Sequence, residues 1–157
     1  MTEKGKDNRF IIRAYGLLIN ERKEVLLSDE FRFGMRMTKF PGGGMRFGEG
    51  PEDCLRREAL EEFGQPVEIT GHFYTTGFYQ KAMFFEDHQL ISIYYTISLA
   101  GPPKFHISVS PFDFPEQEGS QSFRWSEIGK TDPQELSFPV DRFVAEKLRE
   151  KLLSGGI

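Results

Sequence analysis

Residues 43–65, GGMRFGEGPEDCLRREALEEFGQ, set four glutamates and a glycine-rich loop into one continuous segment, and few folds tolerate such crowding. Glu58, Glu61 and Glu62 follow Arg57 at helical spacing, Glu49 stands just ahead of them, and Pro41-Gly42-Gly43-Gly44 leads in. Gly50 suits an N-cap and Pro51 the first helical position, while Glu52 and Asp53 favour the positive end of the helix dipole and Gly64 a left-handed stop. The spacing therefore predicts a helix over Pro51 to Phe63. At ~100° per residue the three glutamates span an arc of roughly 100°, with Leu55, Ala59 and Phe63 forming an apolar stripe beside it. The carboxylates border the face that must be buried.

Like charges one turn apart cost little in water. At ~6 Å and an effective dielectric of about 20, each pair costs roughly 2 to 3 kcal/mol. Arg57, four residues before Glu61, can offset one charge and hold that side chain, leaving an excess of negative oxygen. Hard oxygen donors in this number suit Mg2+ or Mn2+. The ordinary alternative is a solvated acidic helix face. Glycines at 42, 43, 44 and 48 weigh against it, because they allow positive φ and a close approach of backbone to a ligand or metal.

Gly43, five residues, Glu49, seven residues and Arg57-Glu58-Ala59-x-Glu61-Glu62-x-Gly64 resembles the signature of the Nudix hydrolase family, with each defining glycine, arginine and glutamate at its spacing. Two positions depart from the pattern. Gln65 stands where an aliphatic residue is usual, leaving Val67 to take over its packing after Pro66, and Arg46 stands where many members carry an acid. The resemblance covers almost the whole chain and implies an α+β Nudix fold, a mixed β-sheet sandwiched between α-helices. It also implies hydrolysis of a diphosphate linkage in a nucleoside diphosphate derivative (a nucleotide sugar, a nucleoside triphosphate or a dinucleotide), with Mg2+ or Mn2+ as cofactor. By the same resemblance Glu58, Glu61 and Glu62 hold the metal, the Gly43 carbonyl adds a ligand, Glu49 assists the metal shell and Arg57 orients a carboxylate.

The general base is left open, since some members use a box carboxylate and others one on a later loop. Glu61 is the candidate within the box, and Glu116 and Glu118 are candidates on the loop before Trp125, with Glu118 preferred. Arg32, Arg36 and Lys39, interleaved with aromatics in residues 31–40, and Arg46 are candidate substrate-binding cations; a solvated loop with a few core anchors is the ordinary alternative for that segment. Neither a proline shortly after the box, as in ADP-ribose pyrophosphatases, nor a well-placed tyrosine, as in dinucleoside polyphosphate hydrolases, marks a substrate subfamily.

A chain of 157 residues suits one domain, with an ordered core over about 9–153 and only the first eight residues and residues 154–157 dispensable. The polar start MTEKGKDN and the lack of an apolar run of about 18 residues argue against a signal peptide and a membrane span, so a cytoplasmic location is expected. A net charge of −4 disfavours nucleic acid polymers but leaves room for a small anionic substrate held by a cation. The lone Cys54 is expected to pack in the helix, and His72, His88 and His106 show no metal-ligand pairing. A homodimer is compatible with the family.

The pattern along the chain predicts strands at 10–19 and 24–27, joined as a hairpin around Asn20 to Lys23, and longer strands at 67–79 and 90–99 with bends at Gly71 and Gly77. A further strand is predicted at 104–109 and an amphipathic helix at 139–153. Two function classes remain open on sequence: a metal-dependent pyrophosphohydrolase, and a non-catalytic Nudix-fold module that binds or senses a nucleotide metabolite. The intact box carboxylates favour the enzyme.

Overall fold

A computed structural model describes residues 9–157, in the order β1 (Arg9–Leu18), β2 (Glu24–Arg32), β3 (Met35–Lys39), β4 (Gly42–Gly44), α1 (Pro51–Phe63), β5 (Val67–Thr75), β6 (His88–Leu99), β7 (Gln121–Glu127), a 3-10 turn (Pro133–Glu135) and α2 (Pro139–Leu153). The first eight residues, expected to be dispensable, lie outside the described residues. One four-stranded mixed sheet has the order β4-β1-β6-β5, with β1 and β6 parallel and the other pairs antiparallel. A three-stranded antiparallel sheet has the order β3-β2-β7. The fold is thus α+β, with sheet between two helices.

Two apolar clusters explain the layering. Alternate residues of β1 serve both: Tyr15 and Leu17 join Val140, Val144 and Leu148 of α2, whereas Ala14 and Leu18 join Leu55, Ala59 and Phe63 of α1. β6 divides likewise, Tyr94 toward α2 and Tyr95 and Ile97 toward α1. The apolar stripe of α1 is the buried one, and Cys54 is buried with it. Gly64 ends that helix in the left-handed conformation at φ 63°.

Two strand expectations need correction. The predicted hairpin exists only as a turn, held by the Asn20 side chain, which accepts from the backbone N–H of Arg22 (2.9 Å) and Glu24 (3.1 Å). Beyond a single bridge, Ile19 to Val25, β1 and β2 part into different sheets because each buries both faces and needs its own neighbours. The segment at 104–109 forms no strand. Phe105 and Ile107 pack on the α1-side cluster, Phe105 stacking on Phe63 at 4.4 Å, but only Ser108 N–H reaches a strand, at Phe123 O (2.7 Å). Residues 31–40 are likewise ordered as the end of β2 and as β3. Gly71 does lie at a register shift, between Ile69 and Gly71, while Gly77 falls after β5 ends.

The Gln65 departure has a packing explanation. Its buried amide donates to Pro102 O (3.2 Å) and accepts from Lys104 N–H (2.9 Å), tying down the segment after β6, while Val67 fills the α1-side cluster. At the other end of the chain Ile157 packs on the α2-side cluster, so residues 154–157 are not merely a tail.

Asp141, in the first turn of α2, is fully buried and accepts the Tyr94 hydroxyl at 2.5 Å. Burial pushes its carboxyl up to about 6, against the opposing pull of Tyr94 and Lys39. The folded state therefore keeps this proton to higher pH than the unfolded chain, whose Asp titrates near ~3.9, and loses up to about 3 kcal/mol as pH rises across that window. Asp141→Asn should flatten the stability-pH slope between about pH 4 and 7 and raise the melting midpoint at pH 7.5. An unchanged slope in denaturant titrations would assign the dependence to other groups.

Candidate functional site

Arg57 joins the acidic helix to the loop before it. Its Nε and Nη2 donate to the two carboxylate oxygens of Glu49 at 3.0 and 2.6 Å, and Nη2 also reaches Gly44 O at 3.0 Å. Its Nη1 donates to Glu58 at 3.0 Å and lies 3.5 Å from Glu61. Arg57, followed by the Arg46 backbone N–H (2.8 Å), holds Glu49 well below the ordinary carboxylate range, at about 2. Glu49, expected to assist a metal shell, spends both oxygens on Arg57 in this arrangement.

The glycines explain how acid and backbone come so close. A Cβ on Gly43 would stand 2.3–2.6 Å from the carboxylate of Glu58, so that carboxylate occupies the space a side chain would fill. Gly43 O accepts the Cys54 thiol at 3.6 Å, and burial, with Glu49 adding to it, pushes that thiol up to about 11. Gly42 has φ 149°, and a Cβ there would meet Ala14 O at 2.1 Å across the β1–β4 pair. Its N–H donates to Glu62 at 3.1 Å.

Glu62 is the box carboxylate shifted upward. Burial pushes it up to about 7, with Glu30 and Glu58 adding to the shift, although Lys39 and a hydrogen bond from Gln121 (2.9 Å) pull the other way. Lys39, called a substrate-binding cation from sequence, is itself buried, 3.0 Å from Glu30 and 3.2 Å from Gly42 O. Burial lowers its pKa, but Glu30 and then Glu62 outweigh that and leave it raised. Removing either partner of the Lys39–Glu30 pair strands a buried charge, typically a cost of about 3–5 kcal/mol.

The remaining candidates are dispersed. Glu61 is half exposed and touches only Arg57 and, at 3.9 Å, Arg46. Among the described residues no three acidic, imidazole or thiol side chains converge as a finished metal cage. The donor set nevertheless fits a hard cation: Glu58 and Glu62 flank the side-chain-free Gly42–Gly43 backbone, and the crowding that raises Glu62 is what a cation relieves. Arg36 pairs with Glu116 at 2.6 Å and lies over the Phe112 ring. Glu118 accepts from the backbone N–H groups of Phe33 (2.7 Å) and Gly34 (3.4 Å), clamping the β2–β3 turn.

The residue of that later region that reaches the box is Gln121, at the start of β7, which donates to both Glu62 and Ser28. An uncharged amide carries no acid-base signature, so the sequence search for a carboxylate passes over it. Beside the box lies a cavity of about 220 Å³ between β1, β6, the β2–β3 turn and residues 80–85. Ile11, Met37, Phe84 and Leu90 give it apolar walls, Arg13, Arg32, Lys39 and Asp141 line it too, and Phe33 stacks on Phe84 at 4.4 Å. Arg13 is a lone cation within the apolar run FIIRAYGLL, a signal the sequence offered.

The NUDIX domain model matches residues 10–145. Among solved structures, the chain is similar to the E. coli ORF135 protein (15% identity, TM-score 0.67, covering 93% of each chain). It is also similar to a NUDIX hydrolase from Nitrosomonas europaea (13%, TM-score 0.64, 93% of this chain and 90% of that one). A third is the MutT protein from Methanosarcina mazei Go1 (18%, TM-score 0.63, 93% and 97%). At these identities the structural likeness bears on the fold.

The two adjacent glycines should respond differently to an added methyl. Gly42→Ala strikes fixed backbone at an unfavourable φ and should cost roughly 3 kcal/mol or more. Gly43→Ala meets only the end of a flexible glutamate and should cost less than about 1 kcal/mol, displacing Glu58 instead. Denaturant unfolding of the two variants compares them directly, and equal losses would contradict this geometry.

Proposed function

The chain belongs to the NUDIX domain family, and from that premise we propose that it uses a divalent cation to cleave the diphosphate linkage of a nucleoside diphosphate derivative. A Nudix-type pyrophosphohydrolase is what family membership makes it; metal, substrate class and residue roles are the proposal. The observation that carries the proposal is the placement of Glu58 and Glu62 against a glycine backbone, with more negative charge than Arg57 and Lys39 neutralise.

Glu58, Glu61 and Glu62 would hold Mg2+ or Mn2+ with the Gly43 carbonyl, and the bound ion would neutralise phosphate charge and acidify a water. Arg57 fixes Glu58 and keeps Glu49 as a brace on the loop, so the carboxylates need little reorganisation when substrate arrives. Glu61, with contacts no shorter than 3.5 Å and half its side chain exposed, is free to turn toward the ion and the attacking water, which makes it the box candidate for the base, beside Glu118 on the later loop. Gln121 steadies Glu62 while leaving it able to bind a cation. The cavity beside the box would take the nucleoside, with its apolar walls against the base, Arg32 at its edge and Arg46 toward the far phosphate.

Purified protein with Mg2+ or Mn2+ and a panel of nucleoside triphosphates, nucleotide sugars and dinucleotides should release phosphate, pyrophosphate or monophosphate from at least one compound. Tight binding of one compound without turnover of any would instead favour a sensor module. Glu58→Gln and Glu62→Gln should each lower kcat by about 100-fold or more while the fold persists, by analogy with losing a group that stabilises developing charge. The natural chain should gain in melting midpoint on adding Mg2+, since a ligand bound only by the folded state stabilises it, and both variants should lose that gain; a shift retained in both variants would place the ion elsewhere. Glu118→Gln separates two roles: a tenfold or greater loss of turnover makes it the general base, while near-natural rates leave it a clamp on the β2–β3 turn.

A further inference from the structure

The cations expected from sequence to meet substrate are largely committed elsewhere. Lys39 is paired with Glu30 and Arg36 with Glu116, and Arg46 stands in the open beside Glu61. Arg32 also lines the cavity, at the exposed end of β2, whereas Arg13 lies within β1 and faces the glycine strand of the box. The latter lies on the cavity-facing side of β1, two residues before Tyr15, and its Nε donates to the Tyr15 hydroxyl at 2.6 Å. That single bond, with the guanidinium stacked over the Tyr15 ring at 5.5 Å, fixes the plane of the fork. Among the described residues no protein acceptor is bonded to Nη1 or Nη2, and neither is sealed away from solvent.

The location of this open fork is specific. In the β1–β4 register Arg13 faces Gly44, and a Cβ on Gly44 would lie 3.9 Å from its Nη1. Gly44 O is already bound by Arg57, the organiser of the box. β4 is an edge strand made only of glycines, so it puts no side chain of its own between Arg13 and Glu58. After Tyr15, the carboxylates of Glu30 and Glu58 act on Arg13, and Asp141, across the same cavity, feels its charge as well. A guanidinium with free paired donors matches the fork geometry of a phosphate oxygen pair.

We infer that Arg13 is a substrate-binding residue that grips the phosphate attached directly to the nucleoside, bridging the cavity and the glutamate box across the glycine edge strand. This rests on the proposed function in one respect, that the nucleoside lies in the cavity. The grip requires no metal, because the donors belong to the chain, and it orders the substrate: ring in the cavity, first phosphate on Arg13, the linkage to be cleaved at Glu58 and Glu62. Such a clamp selects against ligands whose charge is not one phosphate away from a ring, because the base cannot then enter while Arg13 is satisfied.

The test is equilibrium binding to metal-free protein in EDTA, by calorimetry, of four nucleosides (adenosine, cytidine, guanosine and uridine) and their 5′-monophosphates. The natural chain should bind at least one monophosphate more tightly than its nucleoside. Arg13→Met should weaken that monophosphate by roughly 10- to 100-fold, the scale of one charge-assisted hydrogen-bond pair, and the nucleoside by less than about twofold. Arg13→Lys should restore part of the loss, and its melting midpoint controls for folding. Equal losses for nucleoside and monophosphate, no loss at all, or a natural chain that binds neither ligand would each overturn the assignment. With Mg2+ and the turnover panel, the two proposals separate: no turnover by the natural chain defeats the hydrolase, while normal turnover with an unchanged KM in Arg13→Met defeats the clamp alone.

Discussion

The five-way engagement of Arg57, with both oxygens of Glu49, with Glu58, with Glu61 and with the Gly44 carbonyl, is the constraint on which the site depends. A guanidinium is suited to this because its donors lie in one plane and do not titrate. The loop 45–49 has few apolar anchors of its own, and without the Glu49 contact little would fix its path from β4 to α1. With it, the acidic face of the helix and the glycine edge of the sheet are held close, the Glu58 carboxylate filling the space a side chain on Gly43 would take. Fold and chemistry are therefore coupled at one side chain.

Charge is distributed unevenly around that lock. Two buried charges nearby come as ion pairs: Lys39 with Glu30, and Arg124 with Asp29 at 2.7 Å, where Asp29 also accepts Thr38 and the backbone N–H of Phe112. These pairs hold β2, β3 and β7 to one another, and both members must be present for either to be tolerated in the interior. Glu62 breaks the pattern. It has hydrogen bonds from Gly42 and Gln121 but only a share of Lys39, and its upward shift records the deficit. Like Asp141, which is buried with a hydroxyl rather than a cation, Glu62 is a carboxylate the chain does not fully neutralise, and it is the one that lies in the acid-rich corner of the box.

Legibility in the sequence followed the range of the interactions. Both helices were readable with their bounds, because caps, periodicity and proline starts are local, and Leu55, Ala59 and Phe63 announced the buried stripe. β5 and β6 were readable from dense β-branched and aromatic residues. β4 was not, because three glycines have no strand propensity and pair only since β1 offers an edge to which a glycine backbone alone can come so near. The partition of β1 and β2 into two sheets was equally hidden, since their shared turn chemistry is that of a hairpin and only the double-sided burial separates them. Alternating Phe105 and Ile107 carried a strand pattern whose cause was packing on the α1-side cluster, Phe105 against Phe63 and Phe123, rather than pairing.

For the site the same division holds. The box glutamates and Arg57 were visible because their partners lie within one helical turn or one short loop. Gln121 and Arg13 were missed because their meaning depends on residues far away in the chain: Gln121 bonds Glu62 across 59 positions, and Arg13 faces Gly44 only through strand register. A search for charge on loops favoured Arg36 and Glu118, yet the first is paired with Glu116 and the second binds backbone at the β2–β3 turn. Exposed ionic groups in loops find partners readily, whereas a cation inside an apolar strand is retained against its desolvation cost. Arg13 sits in such a strand with its outer donors unspent, and that imbalance, more than charge as such, separates a ligand-binding side chain from a structural one.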